Sequence, residues 1–121
     1  DGASLYELME SEKVTATAGV PTVWLGLLQY LENNNLTLHH LKRVLVGGAA
    51  VPRAMIEAFE NRGIAVTHAW GMTEMSPSGS MSTIKPPLDQ LPREKQIDVI
   101  CKQGYPLFGV EMKITDDRGR E

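Results

Sequence analysis

Leu5, Leu8 and Met9 fall at helical spacing, so residues 3–12 are predicted to form a helix. A β-favouring run, Val-Thr-Ala-Thr-Ala at 14–18, ends at Gly19. Pro21 opens a second predicted helix. In it Val23, Trp24, Leu27, Leu28 and Leu31 recur at i, i+1, i+4, i+5 and i+8, a broad buried face. Asn33, Asn34 and Asn35 stop that helix, because Asn competes for backbone hydrogen bonds and tolerates left-handed turns. Residues 42–46 read as a buried strand, 47–51 as a small-residue turn, and Pro52 as the first residue of a third helix. Met55, Ile56 and Phe59 form its apolar face, and Gly63 suits the position just past its end. Residues 64–67 are the next strand, completing a βαβ unit whose near-continuous apolar strands predict a sheet covered on both faces. The stretch 71–87, rich in Ser, Thr and Pro, reads as one long loop, and 88–100 as a helix. At 110–115, Val110, Met112 and Ile114 alternate with Glu111, Lys113 and Thr115, the pattern of a half-exposed strand. The expectation is an α/β fold: a partial doubly wound, mostly parallel sheet with flanking helices. Three roughly parallel strands lie near 14–18, 43–46 and 64–68.

Composition narrows the class. The chain has 121 residues, enough for one domain with a real core. Hydrophobic residues at 42% and charged residues at 22% exclude disorder and a coiled coil. The net charge of −3 lacks the basic surplus of a nucleic-acid binder. The longest apolar run, 23–28, is far short of the ~20 residues that span a bilayer. A single cysteine, Cys101, excludes an internal disulfide and points to a reducing, cytoplasmic setting. His39, His40, His68 and Cys101 lack the spacing of a zinc cage, and nothing at the start reads as a signal peptide.

Two segments carry candidate chemistry. Gly47-Gly48-Ala49-Ala50 lies between a strand and a helix, at the carboxyl end of a parallel strand, where ligands bind. Small residues there let a flat ring or phosphate approach the backbone, although a tight packing turn needs them equally. The spacing is neither that of a dinucleotide Gly-x-Gly-x-x-Gly nor that of a phosphate loop ending in Gly-Lys-Ser/Thr. His68-Ala69-Trp70-Gly71-Met72-Thr73-Glu74 follows the next strand and is expected at the same sheet edge, so the two segments would face one crevice. There Trp70 offers a stacking face, Thr73 a hydroxyl for a phosphate oxygen, and Glu74 a hard carboxylate for Mg²⁺. Taken singly, they are a core aromatic, a turn cap and a solvated charge.

HAWGMTEMSP, 68–77, resembles the aromatic-Gly-x-Thr-Glu motif of the adenylate-forming superfamily, and its wording is closest to the medium- and long-chain fatty-acyl-CoA synthetases. AGVPTVW at 18–24, VGGAAVP at 46–52 and GYPLFGVEMKI at 104–114 are similar to further family segments in the same order. The resemblance implies activation of a fatty acid with ATP to acyl-AMP and pyrophosphate, then transfer of the acyl group to coenzyme A. It implies that Gly48, Ala49 and Ala50 line the adenine site and that Trp70 packs on adenine. Thr73 would contact the α-phosphate and Glu74 hold Mg²⁺, making these two the catalytic pair. His68, Ala69, Gly71 and Met72 would border the acyl substrate. Residues 1–103 would belong to the α/β part of the AMP-binding N-terminal domain, and 104–121 would start a β-barrel subdomain with a strand at 110–115. The family's Gly-rich phosphate loop, ribose-binding Asp and catalytic Lys have no counterpart in these residues. The expectation is therefore an internal piece of a larger enzyme, inactive alone and prone to self-association through unpaired strand edges, with a homodimer as the candidate assembly of the parent. The partners are small molecules, with no nucleic acid and no transmembrane segment. The rival readings are an aryl- or short-chain acid-CoA ligase, another nucleotide-binding α/β module, and a non-catalytic interaction protein.

Overall fold

Asp1 caps the first helix, α1 (Gly2–Ser11), by accepting a hydrogen bond from the Ser4 amide at 2.9 Å. The computed structural model describes all 121 residues. α1 crosses α2 (Pro21–Asn33) closely, since a Cβ on Gly2 would lie 2.6 Å from the Tyr30 Cβ and 2.7 Å from the Gly26 carbonyl oxygen. The other elements are β1 (Ala16–Gly19), β2 (Arg43–Val46), α3 (Arg53–Glu60), β3 (Ala65–Gly71), β4 (Ser78–Met81), α4 (Arg93–Ile100) and β5 (Tyr105–Pro106). Pro21 occupies the first turn of α2, whereas Pro52 caps α3 from just outside it.

The five strands form one sheet in chain order, with β1, β2 and β3 parallel and β4 and β5 added antiparallel. The α/β class and the three parallel strands agree with the sequence reading. Within these 121 residues helices cover one face of the sheet, where the sequence reading expected both. Val44, Val46 and Val66 point into a core with Trp24, Leu27 and Leu31 of α2, Met55, Ile56 and Phe59 of α3, and Ile97 and Ile100 of α4. The opposite face carries Ala16, Arg43 and Ala65 side by side in register, and all three are exposed. Every helix that touches the sheet packs on one side. Within these 121 residues the other face, with Ala16, Leu45 and Ala65 beside Arg43 and Thr67, is open.

Three further expectations are corrected. β3 continues to Gly71, and 71–87 is not a plain loop, because β4 turns back on β3. The turn is closed by one 3₁₀ turn at Thr73–Met75 and by the Met72 amide donating to the Pro77 carbonyl at 2.8 Å. The helix expected over 88–100 begins only at Arg93, because Pro92 pushes Leu91 into extended backbone (φ −69°, ψ 152°). Residues 110–115 form no strand. Alternation prepares a strand, but ladder hydrogen bonds make one, and no neighbouring strand lies alongside this segment. Ile114 is 89% exposed. No helix is long and apolar enough to cross a membrane.

Candidate functional site

An open cleft of about 570 Å³ lies at the carboxyl ends of the three parallel strands. Ala18 and Gly19 end β1, Leu45 belongs to β2, and Val20, Gly47 and Gly48 rise from the loops that follow. Ala69 to Thr73 form the opposite wall, backed by Pro77 and Ser78 of the return strand. No charged side chain lines this cleft.

Close backbone approaches set its shape. A Cβ on Gly47 would lie 2.9 Å from the Ala69 carbonyl oxygen, so only glycine lets the β2 loop close against β3. Gly48 has φ +82°, a conformation L side chains rarely adopt. A methyl on Gly71 would fall within 1.8 Å of the Pro77 carbonyl oxygen, so the hairpin can fold onto the wall only at a glycine. Trp70 is half-buried, and its six-membered ring rests on Gly79, where a Cβ would meet two ring carbons at 2.6 Å.

Of the residues named from sequence, Gly48, Ala69, Trp70, Gly71, Met72 and Thr73 come together on the cleft. The others do not line it. Ala49 and Ala50 are exposed beyond Gly48, because the chain turns away toward α3. Glu74 follows Thr73 in the 3₁₀ turn, exposed and outside the lining, with no ion-pair or hydrogen-bond partner. His68 is only 3% exposed. Side chains alternate along a strand, so Ala69 faces the cleft while His68 faces the helices. Ala18, Gly19, Val20, Leu45, Pro77 and Ser78 were missed as site residues. Gly19 carried a usable signal, a glycine closing a strand parallel to β2. Ser78 carried none and Pro77 only its place at the end of the 68–77 motif, since only the hairpin brings them back to the wall.

The charged groups near α3 lie behind the site. Arg53 pairs with Asp98 of α4 and donates to Glu57 at 2.7 Å. The hydrogen bond from Arg53 holds the Asp98 carboxyl below its ordinary range. The chain has no cluster of three or more His, Cys, Asp or Glu able to cage a metal. Mg²⁺ needs no such cluster. It takes one or two carboxylates plus phosphate oxygens, and the exposed Glu74 beside Thr73 fits that donor set.

A crevice at the carboxyl ends of parallel strands, with glycine walls and one aromatic face, has the geometry of a nucleotide-binding α/β fold. The chain belongs to the AMP-binding enzyme family, which matches it over residues 1–121. A long-chain-fatty-acid–CoA ligase of Thermus thermophilus is 43% identical over 120 residues, covering 99% of this chain and 22% of that protein. A medium-chain-fatty-acid–CoA ligase of Ectopseudomonas oleovorans is 46% identical over 121 residues, covering 98% of this chain and 22% of that protein. The solved structure of a long-chain-fatty-acid–CoA ligase from Archaeoglobus fulgidus has a TM-score of 0.76 at 29% identity, over 99% of this chain and 24% of that one. The chain thus spans 22% of the length of these curated relatives.

Proposed function

We propose that this chain forms the adenylate wall of a medium- or long-chain fatty-acid–CoA ligase. The carrying observation is the cleft itself: Gly47 and Gly48 face Trp70 and Thr73 across an uncharged gap at the strand ends. In this reading the adenine ring slides between the β2 loop backbone and the Trp70 face. Ala49 and Ala50 extend the same loop at its rim. The Thr73 hydroxyl donates to an α-phosphate oxygen, and Ala69, Gly71 and Met72 border the acyl end.

The reaction is displacement at phosphorus. A fatty-acid carboxylate oxygen attacks the α-phosphorus of ATP, pyrophosphate leaves, and acyl-AMP remains. The thiol sulfur of coenzyme A then attacks the acyl carbon, and AMP leaves. Catalysis of such a step is mostly positioning and charge stabilisation. Glu74 would hold Mg²⁺ with the ATP phosphates, and bound Mg²⁺ supplies neutralisation of phosphate charge. The barrel assignment of 104–121 and a reducing, cytoplasmic setting, in keeping with the unpaired Cys101, belong to the same reading.

Fluorescence tests it. Trp24 is 1% exposed in the core, so Trp24→Phe leaves Trp70 as the only tryptophan. AMP should quench Trp70 emission saturably in that variant, inorganic phosphate should not, and Gly48→Val should abolish the response. No saturable response to AMP would overturn the assignment.

A further inference from the structure

His68 stands where β3 changes partners. Its register with Val46 is the last parallel pair with β2, and Ala69 with Met81 is the first antiparallel pair with β4. The His68 amide donates to the Ser82 hydroxyl at 2.8 Å, and its carbonyl accepts from the Ser82 amide at 2.8 Å. The side chain reaches the other way: Nδ1 lies 3.3 Å from the carbonyl oxygen of Ile100, the last residue of α4. A carbonyl oxygen only accepts, so Nδ1 carries the proton. The last carbonyls of a helix have no partner within the helix, and a histidine N–H supplies one. Nε2 is buried with no partner.

We infer that His68 is a positioning residue for the adenylate wall. Its Nδ1–H ties β3 to the end of α4 and so fixes Ala69, Trp70 and Gly71, the next three residues, against the cleft. This rests on the proposed nucleotide role of the cleft, and it replaces direct substrate contact by the imidazole. Three structural links converge on this one residue: the β2 register, both hydrogen bonds to Ser82, and the Ile100 carbonyl. The side chain supplies only the last, and the exchange rate of the Ser82 amide on the His68 carbonyl reports how firmly that link holds β3 in place.

Asn and Gln separate the two roles. An Asn amide nitrogen sits near the position of Nδ1, and a Gln amide nitrogen near that of Nε2. Three measurements on the 121-residue chain decide the matter. Nitrogen-detected NMR of the ligand-free protein should show the His68 ring proton on Nδ1. His68→Asn should keep the Ser82 amide as protected from hydrogen exchange as in the parent, with AMP affinity within about twofold. His68→Gln should speed Ser82 exchange relative to the β2 amides and weaken AMP about tenfold. A proton on Nε2, a Gln variant that behaves like the parent while Asn fails, or two variants with parental exchange would each overturn the inference. If neither variant folds, the ring-proton position in the unsubstituted chain decides. If AMP binds to none of the proteins, the nucleotide reading fails on its own, while ring proton and Ser82 exchange still judge the tie to α4.

Discussion

Gly79 and Trp70 show how finely the cleft is set by single residues. Gly79 is buried in β4, and the Trp70 ring occupies the space a side chain would need. Gly79→Ala should therefore tilt the indole out of its seat, at a stability cost of about 1–3 kcal/mol. The check is urea unfolding together with Trp70 emission in the Trp24→Phe background, where a red shift is expected as the ring gains solvent. The motif around Trp70 was legible at this scale because its residue types announce their chemistry. Which of them face the cleft was not. His68 and Ala69 are neighbours in sequence and opposites in space, and the split became visible only once β3 was known to run through both. Past Ala69 the irregularity between Trp70 and Gly71 breaks the alternation, and 69–73 all line the cleft.

Elements were read best where periodicity and punctuation agreed. α2 runs from its proline to its asparagine stop, and α3 ends shortly before Gly63, whose φ of +73° turns the chain. They were read worst where a partner decides: β4 has no strand signature of its own, and 110–115 has the signature but no neighbour. A clasp that no pattern indicated joins α1 to the segment before β2. Glu10 accepts from the His39 amide at 2.9 Å and lies 2.7 Å from His39 Nδ1. Burial pushes the Glu10 carboxyl up, yet the hydrogen bonds and charge of His39 outweigh it and hold the group below its ordinary range. A carboxyl lowered in the folded state contributes stability above its unfolded value, about 4.3, and loses it as pH falls through the folded value. Glu10→Gln should flatten the fall of the unfolding midpoint between about pH 5 and pH 3, leaving the midpoint at neutral pH slightly lower. Thermal melts across that range, with the parent alongside, provide the comparison.

At the scale of the whole molecule, one core supports one working edge. Trp24 and Phe59 meet edge-on, with ring centroids 6.2 Å apart and planes at 85°, and Phe59 is fully buried. Phe59→Ala should cost about 3–5 kcal/mol, read as a lowered denaturant midpoint. The same core fixes the strand ends, so AMP affinity should fall with it. Chemistry is a different matter. The cleft has no cationic side chain to neutralise charge developing on a transferring phosphoryl group. The 121-residue chain incubated with ATP, Mg²⁺, coenzyme A and a medium-chain fatty acid should therefore yield no acyl-CoA above the protein-free blank. A robust yield would show that these residues suffice for catalysis.

The most direct measurement is an amide NMR titration of the 121-residue chain with AMP. The predicted result is saturable shifts at Gly47, Gly48, Trp70 and Thr73, with the amides of Glu57 and Asp98 behind the sheet unmoved. Shifts confined to other faces, or no saturable shift at the cleft, would contradict an adenylate wall at this edge.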